Sequence, residues 1–400
     1  MVPNGWEKHP VGKICSSIVP GRNKPKQFGG DIAWVTTPEI TGKFIPSSVQ
    51  KNYISEETIK ECGGKVVPKG AVVMAAVGDL GLIAITKEEV VLNQQLHAFV
   101  CSSKINNEFL AYWLATQTPY MESVASKTTI LYLNKTNCES IPVLVPPLPE
   151  QQKIAKILST WDKAISTTEC LIENSIQQKK ALMQQLLTGK KRLLDESGNR
   201  FEGEWKKVKL GELFNFSTAS SKSKFIDNSG QNYILDMGSV TREGKLKPTK
   251  KTLINKDFLS KGQLIMPKDD IGGGQIIGRV GYVDENCKYI LSDHVYCLTS
   301  KESCSLFLSY LINSYPINKQ LRRQANGTAQ LGLGKKDAEK QTVSVPLELE
   351  EQQKIASVLT NADKEIELLE QQLADLQQEK KALMQVLLTG KKRVVVDGES

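Results

Sequence analysis

The sequence predicts a mixed α/β (α+β) protein in which two similar globular domains are joined by two long helices. Three observations support this fold class: an internal repeat, a heptad pattern of apolar residues inside it, and short strand-like and helix-like runs elsewhere. The 400 residues suffice for two or three domains that each bury their own core. We expect the helices to form an antiparallel coiled coil, so that the repeat is related by a pseudo-two-fold axis.

The internal repeat is strongest in the two segments that are predicted to be long helices. Glu150–Ala155 recurs as Glu351–Ala356, and Leu186–Arg192 recurs as Leu387–Arg393, both at an offset of 201 residues. A constant offset across the whole segment leaves no room for an insertion. It therefore indicates one continuous element, such as a single helix.

The globular segments repeat more weakly than the helices. Trp6–Gly12 is similar to Trp205–Gly211, and related matches have offsets between 192 and 200 residues, which indicates loops of different length on a shared framework. A duplication kept only for stability is the alternative. That alternative gives no reason for the helices to stay alike while the domains diverge.

Short runs in the globular segments predict both strands and helices. Strand-like runs cover 66–77, 82–85, 262–266 and 278–283, and helix-like runs cover 107–116 and 305–313. We divide the chain into a first globular domain (1–148), a first helical region (149–190), a second globular domain (191–348), a second helical region (349–393) and a tail (394–400).

Apolar residues in both helical segments are alternately three and four positions apart, which is typical of a coiled coil. Lys179 and Lys380 interrupt this pattern at matching positions. Because the first helix leads into the second domain and the second helix can return, we expect an antiparallel pair of rods about 55 Å long. Two helices that each fold onto their own domain are the alternative. The residues predicted for the helix–helix seam are Ile154, Leu158, Trp161, Ile165, Leu186, Ile355, Leu359, Ile366, Leu369 and Leu387.

The charge distribution favours a polyanionic partner, with nucleic acid as the first candidate. The net charge is +8, and residues 190–346 hold 26 basic against 17 acidic side chains. No window approaches the roughly 18 apolar residues of a membrane span, and no signal peptide is visible at the N-terminus. The eight scattered cysteines fit reduced thiols in a cytoplasm better than a disulfide framework.

Several loops have the composition of phosphate and base contacts, although each alone also fits an ordinary solvated surface. The segment 322–330 combines guanidinium groups with amides, which suit guanine and adenine edges. Together the loops favour nucleic-acid binding. The predicted DNA-binding residues are Arg22, Lys24, Lys26, Lys127, Thr128, Ser221, Lys222, Lys224, Arg242, Lys245, Lys247, Lys250, Arg322, Arg323 and Gln330.

No catalytic or metal site is visible in the sequence. Phosphate-binding and dinucleotide-binding glycine motifs are absent, and Gly272–Gly274 fits neither. Asp236 with Glu243 and Lys245 resembles a nuclease metal site only faintly. The three histidines are dispersed, and His97 and His294, which lie near matching positions, are interpreted as framework. We therefore predict no catalytic residue and no metal ligand in this chain.

Two motifs mark the first helical region and its approach, Pro146–Ala155 (PPLPEQQKIA) and Ala181–Leu193 (ALMQQLLTGKKRL). With the order domain, helix, domain, helix, they resemble the specificity subunit of type I restriction–modification systems, and the resemblance covers essentially the whole chain. One departure is Pro346–Glu351, which reads PLELEE and holds one residue more than the first copy. This departure leaves the path into the second helix open.

The resemblance implies that each globular part is a target recognition domain that reads one half of a bipartite DNA site. It implies that the helices set the spacing of the half-sites and dock two modification methyltransferase subunits. Those subunits bind S-adenosylmethionine and methylate adenine, whereas restriction subunits, where present, use ATP and magnesium. The chain itself would bind DNA, bind no cofactor directly and have no catalytic role.

Two other functions remain open from the residues alone. A scaffold that binds proteins and uses the coiled coil as a strut is disfavoured by the basic excess in the second half of the chain. A nuclease or methyltransferase in its own right is disfavoured by the missing motifs. Neither the bases that are read nor the presence of restriction subunits follows from the sequence.

Overall fold

The computed structural model describes residues 2–127, 130–327 and 331–396. The chain forms two compact units: unit 1 comprises residues 1–169 and 372–400, and unit 2 comprises residues 170–371. Each unit contains one globular domain, the first part of the long helix that follows it and the last part of the other long helix. The predicted fold class, two α+β domains connected by long helices, is confirmed.

The domain of unit 1 mixes short strands with short helices. Its strands are β1 (Glu7–Pro10), β2 (Cys15–Ile18), β3 (Ile32–Val35), β4 (Phe44–Ile45), β5 (Tyr53–Ile54), β6 (Val66–Val67), β7 (Val72–Ala75), β8 (Ile83–Thr86), β9 (Val90–Leu92), β10 (Leu96–Cys101), β11 (Ser126–Lys127), β12 (Leu131–Tyr132) and β13 (Pro142–Val145). Its helices are α1 (Val11–Ile14), α2 (Glu56–Cys62), α3 (Asn107–Ala115), α4 (Thr118–Val124) and α5 (Lys135–Glu139), and α6 (Leu148–Leu186) follows.

Two sheets form the body of unit 1. One has the strand order β2-β10-β7-β8-β4 and the other the order β5-β3-β9-β6. Helix α3 covers the first sheet because its apolar residues, Phe109 and Leu110 among them, are completely buried beside Phe99 of β10. Asn106 caps this helix by accepting a hydrogen bond from the Phe109 amide at 2.9 Å. The turn after β9 of the second sheet leads into β10 of the first sheet.

Unit 2 repeats this arrangement with its own loop lengths. Its strands are β14 (Trp205–Lys209), β15 (Phe214–Ser217), β16 (Asn232–Leu235), β17 (Lys250–Thr252), β18 (Leu264–Pro267), β19 (Asp269–Asp270), β20 (Gly281–Tyr282), β21 (Tyr289–Leu291), β22 (Val295–Ser300), β23 (Leu331–Gly332) and β24 (Thr342–Pro346). Its helices are α7 (Leu210–Leu213), α8 (Ser305–Asn313), α9 (Tyr315–Arg323) and α10 (Lys335–Lys340), and α11 (Leu349–Leu387) follows. Its main sheets have the orders β15-β22-β18-β20 and β17-β16-β21.

The chain enters α11 after Pro346 in the same way as it enters α6 after Pro146, despite the extra residue. Gln151 donates from Nε2 to the Pro146 carbonyl at 2.8 Å, and Gln352 does the same to Pro346 at 2.8 Å. Both glutamines also accept a backbone hydrogen bond from the loop before α3 or α8. The loop therefore absorbs the insertion ahead of α11, and the helix start keeps the 201-residue offset.

In unit 1 the beginning of α6 runs antiparallel to the end of α11. Asp162 forms an ion pair with Lys380 and accepts a hydrogen bond from the Tyr112 hydroxyl, and the Lys380 ammonium lies 5.6 Å from the Tyr112 ring centroid. Lys43 completes the cluster with a 2.7 Å hydrogen bond to Tyr112 Oη. The charged residue that interrupts the heptads thus has partners on the other helix and on α3.

Unit 2 contains the same cluster built from the other half of each helix. Lys179 Nζ lies 2.5 Å from Asp363 Oδ1, and the Tyr310 hydroxyl donates to Asp363 Oδ2 at 2.7 Å. The Lys179 ammonium is 5.6 Å from the Tyr310 ring centroid. Burial together with the neighbouring Asp363 raises the pKa of Tyr310, so its hydroxyl stays protonated as the donor. The antiparallel pairing is present in each unit.

Most residues predicted for the seam pack into the domain cores as well as between helices. Ile154, Leu158 and Leu387 belong to the core of unit 1, whereas Leu186, Ile355 and Leu359 belong to the core of unit 2. Ile366 is buried, and the remaining three, Trp161, Ile165 and Leu369, are half-buried. The alternative of each helix folding onto its own domain alone is therefore wrong. Among the described residues, no helix is apolar enough over its length to cross a membrane.

Candidate nucleic-acid interface

Matching backbone hydrogen bonds define which loop residues of the two domains are equivalent. The Ala76 amide donates to the Gln95 carbonyl at 2.8 Å, and the Lys268 amide donates to the His294 carbonyl at 3.0 Å. In the same way, the amides of Asn93 and Ser292 donate to the carbonyls at the ends of β3 and β16, each at 2.9 Å. Residues 93–95 of unit 1 therefore correspond to residues 292–294 of unit 2.

This register separates the two histidines that the sequence places near each other. Cys101 pairs with Cys15 and Ser300 pairs with Phe214, so His97 is equivalent to Tyr296 and His294 to Gln95. His97 is a buried framework residue, hydrogen-bonded to Ser17 Oγ at 3.1 Å. His294 lies at the surface loop with a left-handed backbone (φ 63°). The framework interpretation therefore fits His97, whereas His294 lies half-buried in a turn and contacts two carboxylates.

A cleft of about 430 Å³ opens in unit 1 between the basic loop that follows β2 and the turn that follows β9. Arg22 and Lys24 line one side, and the amide side chains of Asn93, Gln94 and Gln95 line the other. The cleft also contains Asn52 and the edge of the buried Trp34. Cations beside several amides are groups that bind phosphate and base edges.

The side chains of this cleft are oriented by one another. Gln95 Oε1 lies 3.3 Å from Thr37 Oγ1 and 3.2 Å from Asn93 Nδ2, and the Gln95 amide donates to Asn93 Oδ1 at 3.1 Å. Phe28 packs on Trp34 with ring centroids 5.5 Å apart. The amides are therefore held before any ligand arrives, which reduces the entropy lost on binding.

Unit 2 presents a different set of groups at the equivalent place. His294 Nδ1 lies 2.7 Å from Asp269 Oδ2, and its Nε2 lies 3.4 Å from Asp293 Oδ2. Ser292 Oγ donates to Asp293 Oδ1 at 2.9 Å and accepts from the Lys222 amide at 3.0 Å. The hydrogen bonds from Ser292 and Ser221, together with the charge of His294, lower the pKa of Asp293 despite its partial desolvation. Ser292, Asp293 and His294 thus stand where unit 1 has Asn93, Gln94 and Gln95, so a hydroxyl, a carboxylate and an imidazole replace three amides.

A short hairpin lies next to each of these sites. In unit 1, β11 pairs with β12, and the Gly78 amide donates to the Leu131 carbonyl at 3.0 Å, close to Ala76 and its bond to Gln95. In unit 2, Asn326 and Gly332 exchange backbone hydrogen bonds of 2.9 and 2.8 Å, and Gly332 also pairs with Asp269, whose side chain contacts His294. Each hairpin therefore extends the surface that begins at the cleft.

Basic side chains surround the hairpin of unit 2. Arg322, Arg323 and Lys319 line a cavity of about 250 Å³ together with Gly273, Gly274 and the strand residue Leu331. The remaining predicted loop residues with exposed side chains are Lys26, Ser221, Lys224, Arg242 and Lys247, and Lys222 is half-exposed. Thr128 and Gln330 lie outside the described residues, and for Lys127 only the backbone is described.

Two predicted DNA-binding lysines are engaged by carboxylates. Lys245 Nζ lies 3.0 Å from Glu367 of α11, and Lys250 forms an ion pair with Asp236. These contacts also engage two members of the faint nuclease-like triplet. In the described part of the chain, no group of three or more His, Cys, Asp or Glu side chains is placed to hold a metal ion.

Sequence reasoning missed the residues of the turn that faces the basic loop. Between the buried strands β9 and β10 lie three polar residues, Asn93, Gln94 and Gln95. A short polar segment between two apolar segments is the sequence signal that could have identified them. Asp293 and His294 form a similar polar segment between the apolar strands β21 and β22. The basic loops are predicted from their unusual composition, whereas the position of the turns depends on long-range strand pairing.

The comparisons with known proteins agree with this arrangement. A family described as the type I restriction modification DNA specificity domain matches residues 3–178 and 202–378. The chain is 26% identical over 413 residues to the MjaVIII specificity subunit of Methanocaldococcus jannaschii, which covers 98% of this chain and 94% of that protein. It is 27% identical over 187 residues to the MjaIX specificity subunit of the same organism, covering 45% of this chain and 43% of that protein.

Solved structures show the same fold. The S subunit of a type I restriction–modification system from M. genitalium superposes with a TM-score of 0.62 at 16% identity, covering 97% of each chain. The HsdS subunit from Thermoanaerobacter tengcongensis gives a TM-score of 0.50 at 17% identity, covering 98% of each. With two copies of the specificity domain on a shared framework, the chain belongs to the type I restriction–modification DNA specificity family and is a DNA-recognition subunit without a catalytic role of its own.

Proposed function

We propose that the chain recognises a bipartite DNA site, with one half-site read by each globular domain. The observation that carries the proposal is that equivalent loop positions present different hydrogen-bonding groups. Gln95 in unit 1 stands where His294 stands in unit 2, on matched backbone hydrogen bonds. Different donors and acceptors select different base edges, so the two half-sites are expected to differ in sequence.

The long helices are proposed to set the length of unread DNA between the half-sites and to dock two modification methyltransferase subunits. Each helix has 39 residues, and each repeats the motifs of the other at a fixed offset. Two copies of one surface fit two copies of one partner. Binding of one methyltransferase subunit to each helical region explains why the helices have stayed more alike than the domains.

The chemistry of modification is assigned to the partners in this proposal. Methyltransferase subunits would bind S-adenosylmethionine and methylate adenine, and restriction subunits, where present, would use ATP and magnesium. The chain would contribute DNA contacts and bind no cofactor directly. A cytoplasmic location is part of the proposal, and the eight free cysteines of the chain fit a reducing compartment.

The test is to map methylated adenines in cells that express the methyltransferase subunits with and without this chain. A bipartite motif with two different halves and a constant spacer is expected only when the chain is present. A continuous motif, or two identical halves, contradicts the proposal. The matched control is K224A, which removes an exposed lysine and should lower occupancy at all sites because phosphate contacts carry no sequence information.

Salt dependence separates DNA recognition from a protein scaffold. DNA affinity of the assembled complex should fall steeply between about 50 and 200 mM salt because neutralised phosphates release counterions. Each lost phosphate contact should lower the slope of log affinity against log salt by about one. A scaffold that does not bind DNA would show no such slope.

A further inference from the structure

We propose that the turns at residues 93–95 and 292–294 are the base-reading elements of the two domains. The proposal rests on the proposed function and adds which side chains carry the sequence preference of each half-site. It assigns adenine and guanine edges to the amide–arginine cleft of unit 1. It assigns donor-bearing edges, above all cytosine N4, to the carboxylate–histidine cluster of unit 2.

In unit 1 the chemistry of the cleft is that of purine recognition. Asn93 and Gln95 each carry an amide donor and a carbonyl acceptor in one plane, the pattern that matches N7 and N6 of adenine. Arg22, on the opposite wall, has the planar fork that matches N7 and O6 of guanine. The hydrogen bonds among Asn93, Gln95 and Thr37 hold the amides in defined directions.

In unit 2 the equivalent turn offers one carboxylate, Asp293, beside His294, and the Asp269 carboxylate lies next to them. Asp293 is ionised and held by Ser292, and His294 is fixed between two carboxylates, those of Asp269 and Asp293. A carboxylate accepts from cytosine N4 and repels phosphate and the acceptor edges of guanine. The equivalent turns of the two domains therefore prefer different bases, as recognition of two different half-sites requires.

The basic side chains near the turns are suited to binding phosphates, whereas the turns are suited to contacting bases. Arg322 and Arg323 lie around the hairpin cavity of unit 2, and exposed lysines such as Lys26 and Lys224 lie on the loops. Such cations suit phosphates, which fix the register of a protein on the duplex. Arg22 and Lys24 line the same cleft as the turn of unit 1, and the Lys222 amide donates to Ser292 Oγ in the turn of unit 2. A duplex held by these basic loops would bring a groove to the turns.

The experiment uses the chain assembled with its methyltransferase subunits, and the readout is the methylated motif in genomic DNA. The variants are N93A, Q95A and N93A/Q95A in unit 1, and D293N and H294Q in unit 2. We expect N93A/Q95A to lose about tenfold or more discrimination at one or two positions of one half-site, the usual size for a bidentate base contact. D293N should relax positions of the other half-site only.

The control K26A changes an exposed cation on the basic loop without touching the turn. It should lower occupancy of every site with an unchanged motif, which distinguishes anchoring from reading. Q94A, at the position equivalent to Asp293, is a further reading variant of this turn. Its side chain is exposed, so a relaxed unit 1 half-site in Q94A cannot come from a lost core contact.

The inference is overturned if N93A/Q95A keeps the full motif at normal occupancy, or if the unit 1 and unit 2 variants relax the same half-site. Both results leave the proposed function intact, since the wild-type complex still shows a bipartite motif. The proposed function fails separately if the wild-type complex shows no bipartite motif. A folded variant that relaxes its own half-site alone supports the inference.

Discussion

Arg393 forms a bidentate ion pair with Glu150, with 2.6 Å between Nε and Oε1 and 2.7 Å between Nη2 and Oε2. In unit 2, Arg192 repeats the pair with Glu351 at 2.5 and 2.7 Å. Both arginines follow the last turn of one helix, and both glutamates lie in the first turn of the other. The basic residues after each helix thus tie the antiparallel halves together within each unit.

Replacing these arginines by alanine should destabilise the two units unequally. The Glu351 side chain is 0% exposed, so R192A leaves a buried carboxylate unpaired, which costs about 3–5 kcal/mol. R393A should cost roughly half as much, because Arg393 is 45% exposed and Glu150 keeps a hydrogen bond from Trp6. Urea unfolding of each variant measures the difference. Equal losses, or none, would contradict this account.

The lysine that interrupts the heptads should be coupled to its aspartate across the helix pair. K179M and D363N are predicted to be non-additive, with a coupling energy of about 1–3 kcal/mol, because the pair lies 2.5 Å apart and is largely buried. A double-mutant cycle in urea unfolding measures it. K180M changes the exposed neighbouring lysine and should shift stability by less than about 0.5 kcal/mol. Additive losses would show that Lys179 and Asp363 act independently.

His97 should make the stability of unit 1 depend on acidity. Burial lowers its pKa to about 4, whereas an unfolded histidine has a pKa of about 6.5. The folded state therefore excludes a proton that the unfolded state binds, so the stabilisation is complete above pH ~6.5 and is lost as the pH falls toward ~4. The loss should be about 3 kcal/mol across this window.

The measurement is the free energy of unfolding of the wild type and H97Q between pH 4 and 7. The difference between the two isolates His97, because all other titrating groups are shared. H97Q should be less stable at pH 7, and the gap should narrow on acidification. A gap that stays constant with pH would mean that His97 does not titrate in this range.

Glycines end both helices in the left-handed conformation, and each should resist substitution. Gly189 has φ 68° and Gly390 has φ 67°, and a Cβ would lie 3.1 Å from the Trp205 ring or 2.5 Å from Pro3 Cγ. G189A and G390A should each lose more than about 1 kcal/mol, from backbone strain and crowding together. G198A, at φ 82° with nothing within 4 Å of the added carbon, reports strain alone. Thermal unfolding in which all three variants behave alike would rule out the crowding effect.

The sequence by itself determined the parts of this protein that depend on local periodicity. The constant 201-residue offset and the heptad spacing predict two continuous helices, because helical side chains contact residues three and four positions away. Leu158 and Leu359 could be placed on the apolar face from these spacings alone. The polarity of the basic loops, with Arg22 and Arg322, is likewise visible in the sequence.

Only the tertiary structure decided which distant residues share a site. Arg22 and Gln95 are far apart in the chain, and they meet because β2, β10 and β3 bring the loop and the turn together. Strand register shows that His294 is equivalent to Gln95 and not to His97. These two alignments differ by only two residues, and the sequence offsets between the domains vary by more than that, so the sequence could not distinguish them. Paired strands are separated in the sequence by loops of variable length, so local sequence patterns do not indicate which residues pair.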